Sequence, residues 1–228
     1  MTNLKIKKED YVAKIMHDLE NPILAQINAL RSFLDTAEKK IAQEEKDLIE
    51  LTLNSCNYIS RQIDIFNLVY RLNYEPISLN YETFNFGEII DETLDEMKVL
   101  LKYSDLDYIF ENDFDCFVKA DKIQIKKIVQ NLISNSVNYA FKGSLIKITL
   151  LKEANDLIFK VESNSPAICE DVLREVFQKS NIGMSLYSKF SIGLGLYLSK
   201  EIIKAHGGVM IAKSFPEDVN IFGFKLPI

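Results

Sequence analysis

The sequence lacks the features that mark several large classes of protein. Its 228 residues contain no apolar run of the roughly 18–20 residues that a membrane-spanning helix needs, and the N-terminus has no signal-peptide apolar core. The net charge is -6, without a long block of either sign, which argues against a nucleic-acid surface. We therefore expect a cytoplasmic protein with no membrane span in this chain and no nucleic-acid partner.

Cysteine and histidine are also scarce. The three cysteines, Cys56, Cys116 and Cys169, are odd in number and far apart, so we expect free thiols rather than a disulfide framework or a metal site. The only histidines are His17 and His206. Each of them therefore needs a structural or chemical explanation.

The first third of the chain has a helical period. From residue 8 to about 72, apolar residues recur at spacings of three, four and seven, interrupted by the polar run "AQEEK". The two stripes are Val12, Ile15, Leu19, Ile23, Ile27, Leu30, Leu34 and Ile41, and then Leu48, Leu51, Ser55, Ile59, Ile63, Phe66 and Val69. Each stripe is too broad for one partner helix to cover. Residues 1–74 thus predict an all-α helical hairpin that pairs with a second copy as a four-helix bundle.

The remainder, residues 75–228, mixes helical and strand patterns. The proline- and asparagine-containing segment 72–85 reads as a linker. Helices are predicted at 86–102, 121–140, near 170–178 and at 194–205, and strands at "DYIFEN", "CFVKA", "LIKITLLKE", "LIFKVES", "VMIAKSF" and "IFGFKLPI". This order favours an α+β two-layer sandwich, with a mixed, mainly antiparallel sheet and helices on one face.

His17 is placed as a reactive group rather than a core residue. It lies midway between the stripe residues Ile15 and Leu19, which turns it roughly 200° from each, toward solvent. Asp18 follows directly, and a neighbouring carboxylate can orient an imidazole and accept its proton. Asn21 is one helical turn further on, on the same exposed face. An inert exposed histidine is the alternative that this pattern leaves open.

Two further segments suggest a site for an anion and a hard cation. Asn131 and Asn135 are four residues apart on one helix, and their amides offer oxygens for a cation and NH₂ groups for phosphate. Gly193 and Gly195 directly precede a helix whose N-terminal amides can approach an anion. A polar helix face and a simple turn explain either feature alone. His206, before Gly207, suits a structural role at a helix C-terminus.

Taken together, these motifs resemble sensor histidine kinases of two-component systems. "HDLENP" is similar to the H-box of that family, although Glu20 departs from its usual basic residue. The resemblance implies that His17 is the phosphorylated residue, that Asp18 is the base, and that Asn21 holds the water that dephosphorylates a partner response regulator.

The later segments resemble the N-box and G2-box of the GHKL-type ATPase domain, in the family's order. The resemblance implies that Asn135 ligates Mg²⁺ and that Asn131 contacts the nucleotide phosphates. It also implies that Gly193 and Gly195, with Leu196 beside them, cradle those phosphates. Residues 178–192 would then form the mobile ATP lid.

One motif departs from the family pattern. The G1-box reads Asp-x-Gly-x-Gly, whereas this chain has Ser163, Ser165 and Ala167 at the three positions. In the family that aspartate accepts a hydrogen bond from the adenine amino group. The resemblance implies that Ser163 accepts it without charge, which weakens the hydrogen bond by about 1–2 kcal/mol and lowers affinity up to about thirtyfold. Ser191 replaces the first G2 glycine, and Asn138 stands where a basic residue often follows the N-box.

Two functions remain open at this point. The first is the ATP- and Mg²⁺-dependent catalytic core of a histidine kinase, acting as a homodimer. It would phosphorylate itself on His17, pass the phosphoryl group to an aspartate of a response regulator receiver domain, and act as a phosphatase toward that regulator. The second is a degenerate dimeric phosphotransfer or docking module that does not use ATP. In the first case the chain is either a stand-alone protein or the core of a longer, membrane-bound sensor.

Overall fold

The computed structural model divides into two compact units, Met1–Glu75 and Pro76–Ile228. It describes residues 2–37, 42–72, 75–112, 116–178 and 194–228; the side chains of residues 2–18, 37, 61, 62, 65 and 71 lie outside that description. None of the helices within those ranges combines the length and apolar character needed to cross a membrane.

The first unit consists of two helices, α1 (Thr2–Ala37) and α2 (Gln43–Arg71). The start predicted at residue 8 was too late, and the break predicted at "AQEEK" was misplaced. Ala42 is the extended N-cap of α2, and its N–H donates to the Glu45 side chain at 3.0 Å. Glu44 and Glu45 add negative charge to the first turn of α2, where the helix dipole favours it. The polar run therefore begins a helix instead of separating two helices.

Helices α1 and α2 cover each other's apolar stripes only in part. Ile27, Ile63 and Val69 are buried, and the Cys56 thiol donates to Gln26 Oε1 at 3.8 Å across the two helices. By contrast, Leu48 is 64% exposed, and Leu19 and Ile59 are each about half exposed. Apolar surface thus remains on this unit in the single chain.

The second unit is an α+β domain, as predicted. Its elements in chain order are β1 (Glu82–Asn85), α3 (Phe86–Tyr103), β2 (Asp107–Asn112), β3 (Phe117–Ala120), α4 (Lys122–Tyr139), β4 (Leu145–Glu153), β5 (Asp156–Asn164), α5 (Glu170–Glu175), α6 (Leu194–Ala205), β6 (Val209–Phe215) and β7 (Val219–Pro227). The main sheet has the order β2-β4-β5-β7-β6. Strands β2 and β4 are parallel, and the three remaining pairs of neighbouring strands are antiparallel. The mixed, mainly antiparallel sheet is therefore confirmed.

The segment 72–85 is not wholly a linker, because it ends in strand β1. This strand pairs with β3 in a separate two-stranded antiparallel sheet, in which Phe84 lies opposite Val118 and both are buried. Four residues are too few to show a clear alternation, and the partner strand lies far along the chain. In addition, the neighbouring proline and asparagines are typical of a linker, so no clear sign of this strand is visible in the sequence.

Three phenylalanines join the helical layer to the sheet. Phe86 begins α3, and its ring centroid lies 5.9 Å from that of Phe159 on β5 and 6.0 Å from that of Phe224 on β7. All three side chains are fully buried. These contacts identify the helix-facing side of the sheet, which along β5 and β7 carries every second residue.

His206 has the structural role predicted for it at the C-terminus of α6. Its Nδ1–H donates to the Ile202 carbonyl at 2.8 Å, and its Nε2 accepts the Asp121 N–H at 3.0 Å. The Asp121 carboxylate in turn caps α4 by accepting the Gln124 N–H. Gly207, with φ of +79°, then reverses the chain after the helix.

The three thiols differ in environment, and this predicts which of them reacts. Cys116 is 1% exposed, and burial raises its pKa to about 11, whereas Cys169 is exposed. At pH 8 only about one in a thousand Cys116 side chains is then a thiolate. We expect Ellman's reagent at pH 8 to label one thiol rapidly in the folded protein, namely Cys169.

The Cys169→Ser variant should lose the rapid phase and keep only slow labelling of the buried Cys56 and Cys116, while denaturant should expose both of these thiols. A rapid phase that persists in Cys169→Ser would contradict the assignment.

Candidate functional site

Helix α4 carries the two asparagines at the edge of its buried face. Ile125, Ile128 and Leu132 are fully buried or nearly so, and they orient the helix against the sheet. Asn131 and Asn135, one turn apart, are half-buried at the margin of this face. Their amides therefore project from a firmly packed helix, as the spacing predicted.

The first turn of α6 approaches α4 closely at Asn131. Asn131 Nδ2 donates to Ser199 Oγ at 3.1 Å, and the Ser199 hydroxyl donates to the Gly195 carbonyl at 2.8 Å. A Cβ atom placed on Gly195 would overlap the Asn131 amide, with Asn131 Cγ only 2.9 Å away. A side chain at position 195 would have to displace the Asn131 amide, so glycine allows α6 and α4 to approach with that amide in place.

The structure brings together only part of the predicted phosphate loop. Gly195 and Leu196 lie in the first turn of α6. Gly193, Ser191 and residues 179–192 of the predicted lid lie outside the described residues. Two positions after Gly195, burial and then the nearby Glu201 carboxylate raise the pKa of Tyr197, so its hydroxyl stays protonated at neutral pH.

The Asn135 side-chain amide makes no hydrogen bond to any group in the described part of the chain. Its amide oxygen is thus available to a ligand. Within that same part, His, Cys, Asp and Glu nowhere form a group of three that could hold a metal ion. A hard cation at this site would therefore rely on amide oxygen and on oxygens brought by its ligand.

The stretch that departs from the G1 pattern is held firmly by the β6–β7 turn. The Ser165 N–H donates to the Asp218 carbonyl at 2.8 Å, and the Ala167 N–H donates to the Asp218 carboxylate at 3.0 Å. Ser165 is buried, and its hydroxyl accepts a hydrogen bond from Asn220 at 2.7 Å. Serine and alanine thus replace glycines in a fixed loop.

Ser163 is buried at the end of β5, directly opposite Asn220 on β7. The end of β5 adjoins the end of α4, because the Phe141 N–H donates to the Asn164 carbonyl at 2.8 Å. The serine is therefore on the same side of the domain as the C-terminal end of the asparagine-bearing helix.

Sequence reasoning missed two residues of this site, Ser199 and Asn220. Ser199 gave no signal, because a serine inside a helix is unremarkable in sequence. Asn220 did give one: positions 220, 222, 224 and 226 of β7 face the helices, and asparagine is the only polar residue among them. A buried amide on an otherwise apolar strand face is expected to have a specific partner.

The residues of the first unit can be located only in part. His17, Asp18 and Asn21 all lie on α1, with Asn21 one turn after His17 and exposed. The side chains of His17 and Asp18 lie outside the described part of the chain. Their chemistry therefore stays a prediction.

Comparison with known proteins shows similarity to one ATPase family and to sensor histidine kinases. Residues 120–228 match the family described as histidine kinase-, DNA gyrase B- and HSP90-like ATPase. The chain is 23% identical over 215 residues to sensor histidine kinase YvrG of Bacillus subtilis, covering 92% of this chain but only 37% of that relative.

Solved structures resemble the chain as well. The catalytic domain of histidine kinase ThkA superposes with a TM-score of 0.57 at 27% identity, over 65% of this chain and 95% of that one. ThkA in complex with response regulator protein TrrA gives a TM-score of 0.61 at 24% identity, over 97% of this chain and 63% of that one. Residues 120–228 therefore form a domain of the histidine kinase-, DNA gyrase B- and HSP90-like ATPase family, and the chain is homologous to sensor histidine kinases.

Proposed function

We propose that the chain is the catalytic core of a two-component sensor histidine kinase, in which Pro76–Ile228 binds Mg²⁺–ATP and the first unit carries the phosphorylated His17. The observation that carries the proposal is the close approach of Gly195 to Asn131, beside an Asn135 amide that no described group engages. Backbone amides of a helix start and a nearby amide oxygen are suited to phosphate and to its cation.

The residues of this chain fit Mg²⁺–ATP. Asn135 would hold the cation through its amide oxygen, and the first turn of α6 at Gly195 and Leu196 would face the phosphates. When bound, Mg²⁺–ATP supplies an electrophilic γ-phosphorus, and the cation partly neutralises the negative charge of the phosphate oxygens. Asn131 fixes the position of this turn through Ser199, so the phosphate-binding amides are organised before the nucleotide arrives.

His17 would act as the nucleophile. A bond forms between an imidazole nitrogen and the γ-phosphorus, the phosphorus–oxygen bond to ADP breaks, and the ring proton passes to Asp18. In a separate phosphatase reaction Asn21, one turn away, would orient a water toward a phosphorylated regulator. The ThkA structure that resembles this chain holds response regulator TrrA, and this supports a receiver domain as the partner here.

The degenerate phosphotransfer module is the second candidate, and it is favoured by Ser163 at the adenine position. The hydrogen-bonded arrangement of the rest of the site argues against a degenerate module. Asn131, Ser199 and Gly195 remain connected, and the altered loop at Ser165 is hydrogen-bonded rather than collapsed. A site released from nucleotide binding would not be expected to keep a glycine whose backbone lies against the Asn131 amide.

The kinase proposal predicts acid-labile label on His17. Wild type incubated with Mg²⁺ and γ-labelled ATP should acquire label that acid removes and alkali spares, and His17→Gln should acquire none. Asp18→Asn should label about a hundredfold more slowly, since a positioned base contributes about 10²–10⁴.

A fluorescent ATP analogue should bind wild type and His17→Gln equally, because His17 belongs to the other unit. Folded wild type that takes up no label, whether or not it binds the analogue, would reject the kinase in favour of the phosphotransfer module. Label on His17→Gln would reject His17 as the acceptor.

A second prediction concerns the approach of α6 to α4. Gly195→Ala should weaken ATP-analogue binding about tenfold or more, because relieving the overlap with Asn131 costs about 1–3 kcal/mol and moves the phosphate-binding turn. Calorimetric titration and thermal melting give the two readouts.

In an Asn131→Ala background the atoms that meet the new methyl group are gone, so Gly195→Ala should then lower the melting temperature much less. Equal losses in both backgrounds would show that the overlap is not the cause.

The uncovered apolar side chains of the first unit support a homodimer through a four-helix bundle. We expect wild type to sediment as a dimer, and Leu48→Lys combined with Ile59→Lys to sediment as a monomer, because each replaces an exposed apolar contact by a charge. Phe117→Lys is a matched control, since Phe117 is 65% exposed on the second unit. A wild type that is monomeric at micromolar concentration, or a Phe117→Lys monomer, would contradict this interface.

A further inference from the structure

Asn220 is a polar residue in a place built for apolar ones. It is 2% exposed and lies on the helix-facing side of β7, in line with Phe222 and Phe224. Its direct cross-strand neighbour is Ser163, whose side chain points to the same face and is 4% exposed. The two residues form one polar pair at the end of the sheet.

The orientation of the Asn220 amide follows from its neighbours. Nδ2 lies 3.1 Å from the Ser165 carbonyl, 3.0 Å from the Pro166 carbonyl and 2.7 Å from Ser165 Oγ. Carbonyl oxygens only accept, so the NH₂ group with its two protons must face them. The alternative orientation would set the amide oxygen against two carbonyls.

In this orientation the amide oxygen of Asn220 has no hydrogen-bond donor beside it among the described residues. Asn220 Oδ1 is buried and has no hydrogen-bond partner in the described part of the chain. A buried acceptor without a donor is unfavourable, and such groups usually have a functional partner or an ordered water. The donors of Asn220 hold the 165–166 loop, and its acceptor remains for something that enters the site.

We infer that Asn220 Oδ1 accepts a hydrogen bond from the exocyclic amino group of the adenine base, and so supplies the acceptor that Ser163 provides only weakly. The inference rests on the proposed binding of ATP. It assigns recognition of the nucleotide base to Asn220 on β7, rather than to Ser163 on β5 alone. A base with an oxo group at the same position would set oxygen against oxygen and be rejected.

The test compares three triphosphates by calorimetric titration. ATP carries the amino group, purine riboside 5′-triphosphate lacks it, and inosine triphosphate has an oxo group in its place. Wild type should bind ATP about two- to tenfold more tightly than purine riboside triphosphate, as one neutral hydrogen bond gives, and inosine triphosphate more weakly still.

Variants assign the preference to one residue. Asn220→Ala should bring the ratio of the ATP and purine riboside triphosphate affinities to about one, whereas Ser163→Ala should keep most of it. Asn155→Ala is the matched control, an exposed asparagine at the β4–β5 turn, and should match wild type. If Asn220→Ala does not fold, Asn220→Val, which is β-branched, suited to a strand and without an acceptor, should likewise lower the ratio.

Each result supports or rejects the contact. Wild type that binds ATP and purine riboside triphosphate equally overturns it, and so does a preference that disappears in Ser163→Ala. Folded wild type that binds no triphosphate rejects ATP binding itself, and the base contact with it. An unchanged preference in Asn220→Ala overturns the assignment to Asn220 while leaving the proposed function intact.

Discussion

The close approach of α6 to α4 is the constraint on which the described site depends. Gly195 permits it, because a side chain at that position would overlap the Asn131 amide. The hydrogen bonds from Asn131 to Ser199 and from Ser199 to the Gly195 carbonyl then hold the helix start in place. Packing and hydrogen bonding thus act on the same three residues, so the helix terminus is organised without a ligand.

The opposite end of α6 is held to the same helix. His206 accepts the backbone N–H of Asp121, the N-cap residue of α4, and its other ring nitrogen donates to the last turn of α6. Helix α6 is therefore attached to α4 at both of its ends. A helix restrained in this way can present its first turn to an anion at little further cost in conformational entropy.

Much of the second unit could be predicted from sequence because its signals are local. The bounds of α6 agree with those predicted from the glycines on either side of an amphipathic segment, and β4 and β5 show clear alternation. Strand β1 was missed because it is short and its partner is distant. The polar run that begins α2 was read as a break because its charges serve the helix terminus.

The site was only partly predictable for a related reason. Asn131, Asn135 and Gly195 follow motifs whose spacing is visible along the chain. Ser199 and Asn220 matter through partners that lie 68 and 55 residues earlier in the chain, and no spacing rule connects them. The histidine and acid of α1 were recognised by resemblance, which identifies chemistry but gives no side-chain geometry.

The bond between Asp121 and His206 also determines which substitutions the fold can accept. The Asp121 group that reaches His206 is its backbone N–H, which every residue except proline carries. Position 121 can therefore change without loss of this bond, provided that the new residue still caps α4. Position 206 has no such freedom, because its side chain must accept the N–H at the start of α4 and donate to a carbonyl in the last turn of α6. Over evolutionary time the two positions need not covary: the histidine is the constrained partner, and the residue it contacts is free to vary within the limits of a helix cap.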